Sequence, residues 1–160
     1  MPPKRLRASR DYPATGYVTM QALTFAKAKA DLERMLGAPL ERLDPDAVSK
    51  RCSEIRWKPI MDWGSASDQV VARQTNLDQD LRREAGTIVM VTDAAFQVGG
   101  TALSFSPPEF SAVSAYHLTE TNELIFGGGD VVIWCANSSS IWLFHHEGIF
   151  ARWSRESSHP

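Results

Sequence analysis

Residues 123–153 read ELIFGGGDVVIWCANSSSIWLFHHEGIFARW. Short apolar runs alternate here with Gly, Asn and Ser, the pattern of strands joined by tight turns. Val131–Cys135 is apolar throughout and largely β-branched, which fits a strand covered on both faces. Asn137–Ser140 is a polar turn, Ile141–Glu147 the next strand, Gly148 a break, and Ile149–Trp153 the last strand. Glu123–Phe126 reads as a further strand, with Gly127–Asp130 as its hairpin turn, because consecutive glycines accept positive φ. The expectation is a four-strand meander. Strand alternation turns Ile141, Leu143 and His145 one way and Trp142, Phe144 and His146 the other. Neither face of so apolar a segment can be left in water, so earlier helices must cover it.

Working outward, Phe110, Val113 and Tyr116 or His117 recur at helical spacing behind Ser106-Pro107-Pro108-Glu109, a cap followed by proline and a first-turn acid. Ala102–Phe105 is a candidate short strand and Thr87–Asp93 (TIVMVTD) a buried one. Further back, Asp68–Arg83 is polar, with Val70, Val71, Leu77 and Leu81 as apolar points, and reads as one or two exposed helices. Glu54–Trp63 alternates, but Pro59 confines it to an edge. Asp44-Pro45 is an N-cap with proline at the first helical position, opening a helix to about Cys52 or Ile55. Phe25, Ala28, Leu32, Met35 and Leu36 form one apolar stripe on a helix expected to start near Thr19 and to stop at Gly37 and Pro39. The fold class is therefore α+β: a mainly antiparallel sheet covered by N-terminal helices, in one domain over residues 17–156. Residues 1–16 read as a basic tail or arm.

The chain has 160 residues, 43% hydrophobic and 22% charged, which suits a single globular domain with a sizeable core. No apolar run approaches the ~18 residues of a membrane span, and no apolar segment follows the basic N-terminus as in a signal peptide. Two cysteines, Cys52 and Cys135, make no disulfide framework, so a reducing cytoplasm is expected. The net charge of −2 hides an asymmetry. Lys4, Arg5, Arg7 and Arg10 give the tail +4, leaving 13 basic and 19 acidic side chains, or −6, in the body. Such a body disfavours nucleic acid and suits a basic protein partner.

Chemistry is sparse. There is no nucleophile elbow, Walker loop or dinucleotide fingerprint. GGGD at 127–130 lacks the spacing of a phosphate loop. His145-His146-Glu147 has the residue types of a metal site, but strand neighbours face apart and zinc ligand spacings are missing, so no metal is expected. Cys135, mid-strand in an apolar run, reads as an inert thiol. No catalytic residue, cofactor or metal ligand is assigned.

The strings VTD (91–93), ELIFGGGDVVIW (123–134) and IWLFHHEGIFARW (141–153) resemble the small cytoplasmic immunity proteins that accompany bacterial polymorphic toxins. These include the immunity partners of contact-dependent inhibition and type VI secretion toxins. The resemblance covers about residues 87–153. It implies a non-enzymatic protein that binds and neutralises the toxin C-terminal domain of its own system, in many such pairs a nuclease with a basic cleft. It carries over no functional residue. From the acidic body itself, the candidate contacts are Asp62, Asp68, Asp78, Asp80 and Glu84, with Trp57 and Trp63 as aromatic anchors. No nucleic acid, membrane or small-molecule substrate is expected. The alternative is a small enzyme or small-molecule-binding domain with a pocket between sheet and first helix, where His117, His145 and His146 would titrate.

Overall fold

A computed structural model describes residues 20–93, 101–106 and 110–155. In chain order the elements are β1 (Met20–Thr24), α1 (Phe25–Leu36), α2 (Pro45–Ser49), β2 (Lys58–Pro59), α3 (Asp68–Gln74) and α4 (Leu77–Arg82). There follow β3 (Ile88–Thr92), β4 (Thr101–Phe105), α5 (Phe110–Thr121), β5 (Val131–Cys135), β6 (Ser140–His145) and β7 (Ile149–Ser154). All seven strands join one sheet in the order β1-β4-β3-β5-β6-β7-β2, and every pairing is antiparallel. The α+β class read from the sequence holds.

Period-2 alternation in the central strands builds two cores. Ile88, Met90, Ile133, Cys135, Trp142 and Phe144 face the layer of α3, α4 and α5, meeting Val71, Leu77, Leu81 and Val113. Val89, Val91, Val132, Trp134, Ile141 and Leu143 face α1 and α2, meeting Ala28, Leu32, Leu36 and Val48. The central sheet is thus buried on both sides, as its unbroken apolar strands require.

The caps are local and legible. Thr24 caps α1 through Lys27 N at 3.2 Å, and Gly37 ends it in the left-handed region at φ 68°. Asp44 caps α2 through Ala47 N at 2.8 Å. Proline at position 59 sits on the outermost strand, where no ladder bond is lost on its solvent side.

Four expectations need correction. The first helix starts at Phe25 rather than near Thr19, which lies outside the described residues, as do residues 1–16. Met20–Thr24 is instead a strand, held by pairing with Thr101–Phe105. The second helix stops at Ser49, although turn bonds from Arg51 N to Val48 O and Cys52 N to Ser49 O prolong the coil. The helices in 68–83 are not merely exposed: Asp68, Val71, Leu77, Asp80 and Leu81 are all buried. Pro107–Glu109, the proline start of the third helix, lies outside the described residues.

The fourth correction is the largest. Glu123–Phe126 is not a strand, so the meander has three strands and Gly127–Asp130 is a loop, not a hairpin turn. The cause is a buried acid. Asp68 accepts from Ile125 N at 3.1 Å, Phe126 N at 2.9 Å and Ser114 Oγ at 2.6 Å. The carboxylate takes the donors that a strand would have given to a neighbour. Phe126 then enters an aromatic row, with ring centroids 5.8 Å from Phe110 and 4.4 Å from Phe144.

Candidate functional site at the end of the central hairpin

β6 ends at His145, and His146 already lies in the turn. Alternation therefore stops between them. The two rings, expected to face apart, stack at 4.2 Å between centroids with planes 27° apart. His145 is buried and belongs to the face covered by α2, where its Nε2 meets Asp46 Oδ2 at 3.1 Å. Its Nδ1 accepts the Glu147 N–H at 3.1 Å. A backbone N–H only donates, so the His145 proton sits on Nε2 and is given to Asp46.

His146 is exposed. Its backbone N donates to Asp130 Oδ1 at 2.8 Å, and its ring Nδ1 donates to the same oxygen at 3.0 Å. The Asp130 hydrogen bond and charge hold the His146 imidazole above its usual range. Asp130 is positioned in turn by its own N–H, given to Asp93 Oδ1 at 3.1 Å. Burial pushes Asp93 upward, against the hydrogen bond from the Asp130 N–H, which pulls it down, while the Asp130 charge pushes it up. Glycine at 129 is what lets the two segments meet, since a Cβ there would collide with the Asp93 carboxylate.

Two tryptophans bracket the pair. Trp57 meets His145 edge-on at 6.0 Å between centroids. Trp63 donates its indole N–H to His146 O at 2.9 Å and packs over Gly148, whose φ is 82°. A Cβ on residue 148 would fall 3.0 Å from that of Trp63. Asp46, Asp62 and Glu147 are exposed at this end, as is Met61.

The seven candidate contacts do not form one surface. Trp57 and Trp63 contact the histidine pair, and Asp62, exposed, precedes Trp63 in the chain. Asp68 is fully buried and spends its oxygens internally. Asp80 is buried too, accepting from Trp142 Nε1 at 3.3 Å and pairing with Arg152 Nε at 3.5 Å. Asp78 accepts from Phe110 N at 3.1 Å and pairs with Arg82, which leaves it half-buried on α4. Glu84 is half-buried beyond the same helix. Sequence reasoning singled out His145-His146-Glu147 but missed Asp46, Asp93 and Asp130 as their partners, because these come from three separated segments that only the sheet brings together.

His117 does other work. Its Nδ1 donates to Glu123 O at 2.9 Å and its Nε2 accepts from Thr92 Oγ1 at 3.0 Å, tying α5 to β3. Burial lowers its affinity for a proton. The unfolded chain therefore binds that proton first as pH falls below about 6.5, and the fold loses stability from there down to the depressed folded value. Urea midpoints measured from pH 7 to 5 should fall in the native chain and fall less in His117→Gln. Parallel curves would assign the acid sensitivity to another group.

A cleft of about 350 Å³ lies between α1 and the sheet, lined by Leu23, Lys27, Asp31, Arg34 and Val89. A second of about 300 Å³ lies between α3, α4 and α5. No histidine lines either. Cys52 is buried, with its thiol pushed up to about 12 by desolvation, so it is no nucleophile at neutral pH. Among the described residues, no helix is long and apolar enough to cross a membrane. Comparison with protein-family models, with curated proteins and with solved structures found no match to this chain.

Proposed function

We propose that this chain is a non-enzymatic cytoplasmic immunity protein that binds and neutralises the C-terminal domain of a cognate bacterial toxin. The observation that supports this most is the composition of the end of the central hairpin. Asp46, Asp62, Asp130 and Glu147 surround a region with half-buried Trp57 and Trp63 and an exposed Met61 at 71%. Aromatic anchors within an acidic rim suit a basic protein surface, such as the cleft of a nuclease. The −6 body adds the long-range attraction that speeds such an encounter.

The first experiment is co-purification with the polypeptide encoded immediately upstream, with growth rescue as the functional readout. No complex and no rescue would end the reading. Given a complex, the triple change Asp46→Lys, Asp62→Lys, Glu147→Lys should slow association by about tenfold or more at low salt, since rim charges act chiefly on the on-rate. Glu84→Lys, beyond α4, should leave the rate near native. Equal rates for both variants would move the interface elsewhere. The small-molecule alternative has one observation in its favour, the cleft beside α1 with Lys27, Asp31 and Arg34. Thermal stabilisation by a metabolite, lost in Lys27→Ala, would support it.

A further inference from the structure

We infer that Asp130, His145 and His146 form a binding site for a divalent transition-metal ion, with Zn²⁺ as the fitting class. Each of the three offers a ligand atom, and those atoms lie within 4.8 Å of one another. Two imidazoles and a carboxylate make a borderline donor set that suits zinc, whose filled d shell imposes no rigid geometry.

The surroundings match what a metal centre needs beyond its ligands. Asp46 accepts the Nε2 proton of His145, which leaves the Nδ1 lone pair as the ligand position; it now accepts the Glu147 N–H, which the ion would have to displace. A carboxylate behind a ligating histidine fixes its tautomer and raises its basicity. Asp130 is likewise fixed from behind, by the hydrogen bond from its backbone to Asp93. The Glu147 carboxylate stands 4.0 Å from His145 Nδ1, within reach as a fourth donor. Trp57 and Trp63 wall the pair on its two sides.

Two adjustments are required, the release of the Glu147 N–H from His145 Nδ1 and the turn of one ring. Stacked rings send their lone pairs out in nearly parallel planes, so one ring must turn before both address the same ion. His146 can do so, because 54% of its side chain is exposed and its ring hydrogen bond goes to Asp130 itself. Asp130 would exchange that proton for the metal. His145 is the less mobile member, its side chain only 8% exposed and its Nε2 held by Asp46. Three protein donors and an open side leave a position for water or for a partner's side chain.

The test uses the metal alone on the full chain, without any toxin, so its outcome is independent of the proposed function. Calorimetric titration of metal-free protein with Zn²⁺ should show one equivalent bound. Co²⁺ in its place should give the intense visible bands of a low-coordinate site. His146→Ala and Asp130→Asn should each abolish both signals while the far-ultraviolet dichroism stays native. Asp46→Ala should weaken binding by about 10- to 100-fold, with partial recovery in Asp46→Asn. His159→Ala, which removes the histidine near the C-terminus, should change nothing. Silence with both metals, binding that persists in His146→Ala, or loss in His159→Ala would each overturn the assignment.

Discussion

Asp68→Ala should lower the unfolding free energy by about 3–5 kcal/mol, the cost of leaving its buried donors without an acceptor. The carboxylate is at 0% exposure and serves three donors from two other segments. Two of these are backbone N–H groups of Ile125 and Phe126, which no rotation can redirect. Leaving each unsatisfied costs about 1–3 kcal/mol. Phe126, itself fully buried, would lose the tether that seats it against Phe144. Against a typical total of about 5–15 kcal/mol, this is a large fraction. Asp68→Asn keeps one acceptor oxygen and should recover part of the loss. Ser114→Ala removes only a side-chain donor and should cost about 1 kcal/mol. Urea denaturation with a common m-value reads all three. A loss below about 1 kcal/mol in Asp68→Ala would show that packing, not the carboxylate, holds residues 123–126.

Asp68 also marks where the sequence stopped being legible. Features set by neighbours within a few residues were readable: the α1 stripe, the Asp44 cap, the edge position of Pro59, and β5 to β7. Glu123–Phe126 looked equally strand-like, because apolarity is local while the capture of its N–H groups depends on a residue more than fifty positions away. For the same reason an acid in a polar run was read as surface. Only its location under α5 reveals that Ser114 and a loop consume it. β1 was missed because a five-residue edge segment followed directly by a helix offers little alternation, and its partner β4 is distant in the chain.

The candidate site shows the same limit at finer scale. HHE at 145–147 has the residue types of a metal site, and strand alternation argues against a metal there. That argument needs both histidines inside the strand. The strand ends one residue too soon, at His145, and nothing in the residue types around the turn announces it. Trp57 and Trp63 suit anchors by their chemistry. That they bracket one histidine pair follows from β2 lying beside β7, a long-range pairing of only two residues. Conversely, Asp78 and Glu84 share charge and a sequence neighbourhood with Asp62, while the fold places them on or just beyond α4.

Trp134→Ala should be comparably destabilising, by about 3–5 kcal/mol, and here the contributions can be separated. Trp134 is fully buried in the core beneath α1, and its indole N–H reaches Asp31 Oδ2 at 2.9 Å. Trp142, on the neighbouring strand, does the mirror task on the opposite face through Asp80. Each helix layer is thus tied to the central strands by one indole–carboxylate bond above a large apolar contact. If the hydrogen bond carried the effect, Asp31→Ala would match Trp134→Ala. It should not, because Asp31 lines the open cleft beside α1, where water can take the indole proton. Asp31→Ala should then cost about 1 kcal/mol or less. Trp134→Phe should fall between, losing the bond and part of the volume. For a chain of this size the alanine variant should melt roughly 10 °C or more below the native protein. The ratio of the two losses is the decisive quantity. Near unity it would make the polar tie the element that holds α1 to the sheet. A ratio of about three or more assigns that role to the packed ring, with the carboxylate setting its orientation.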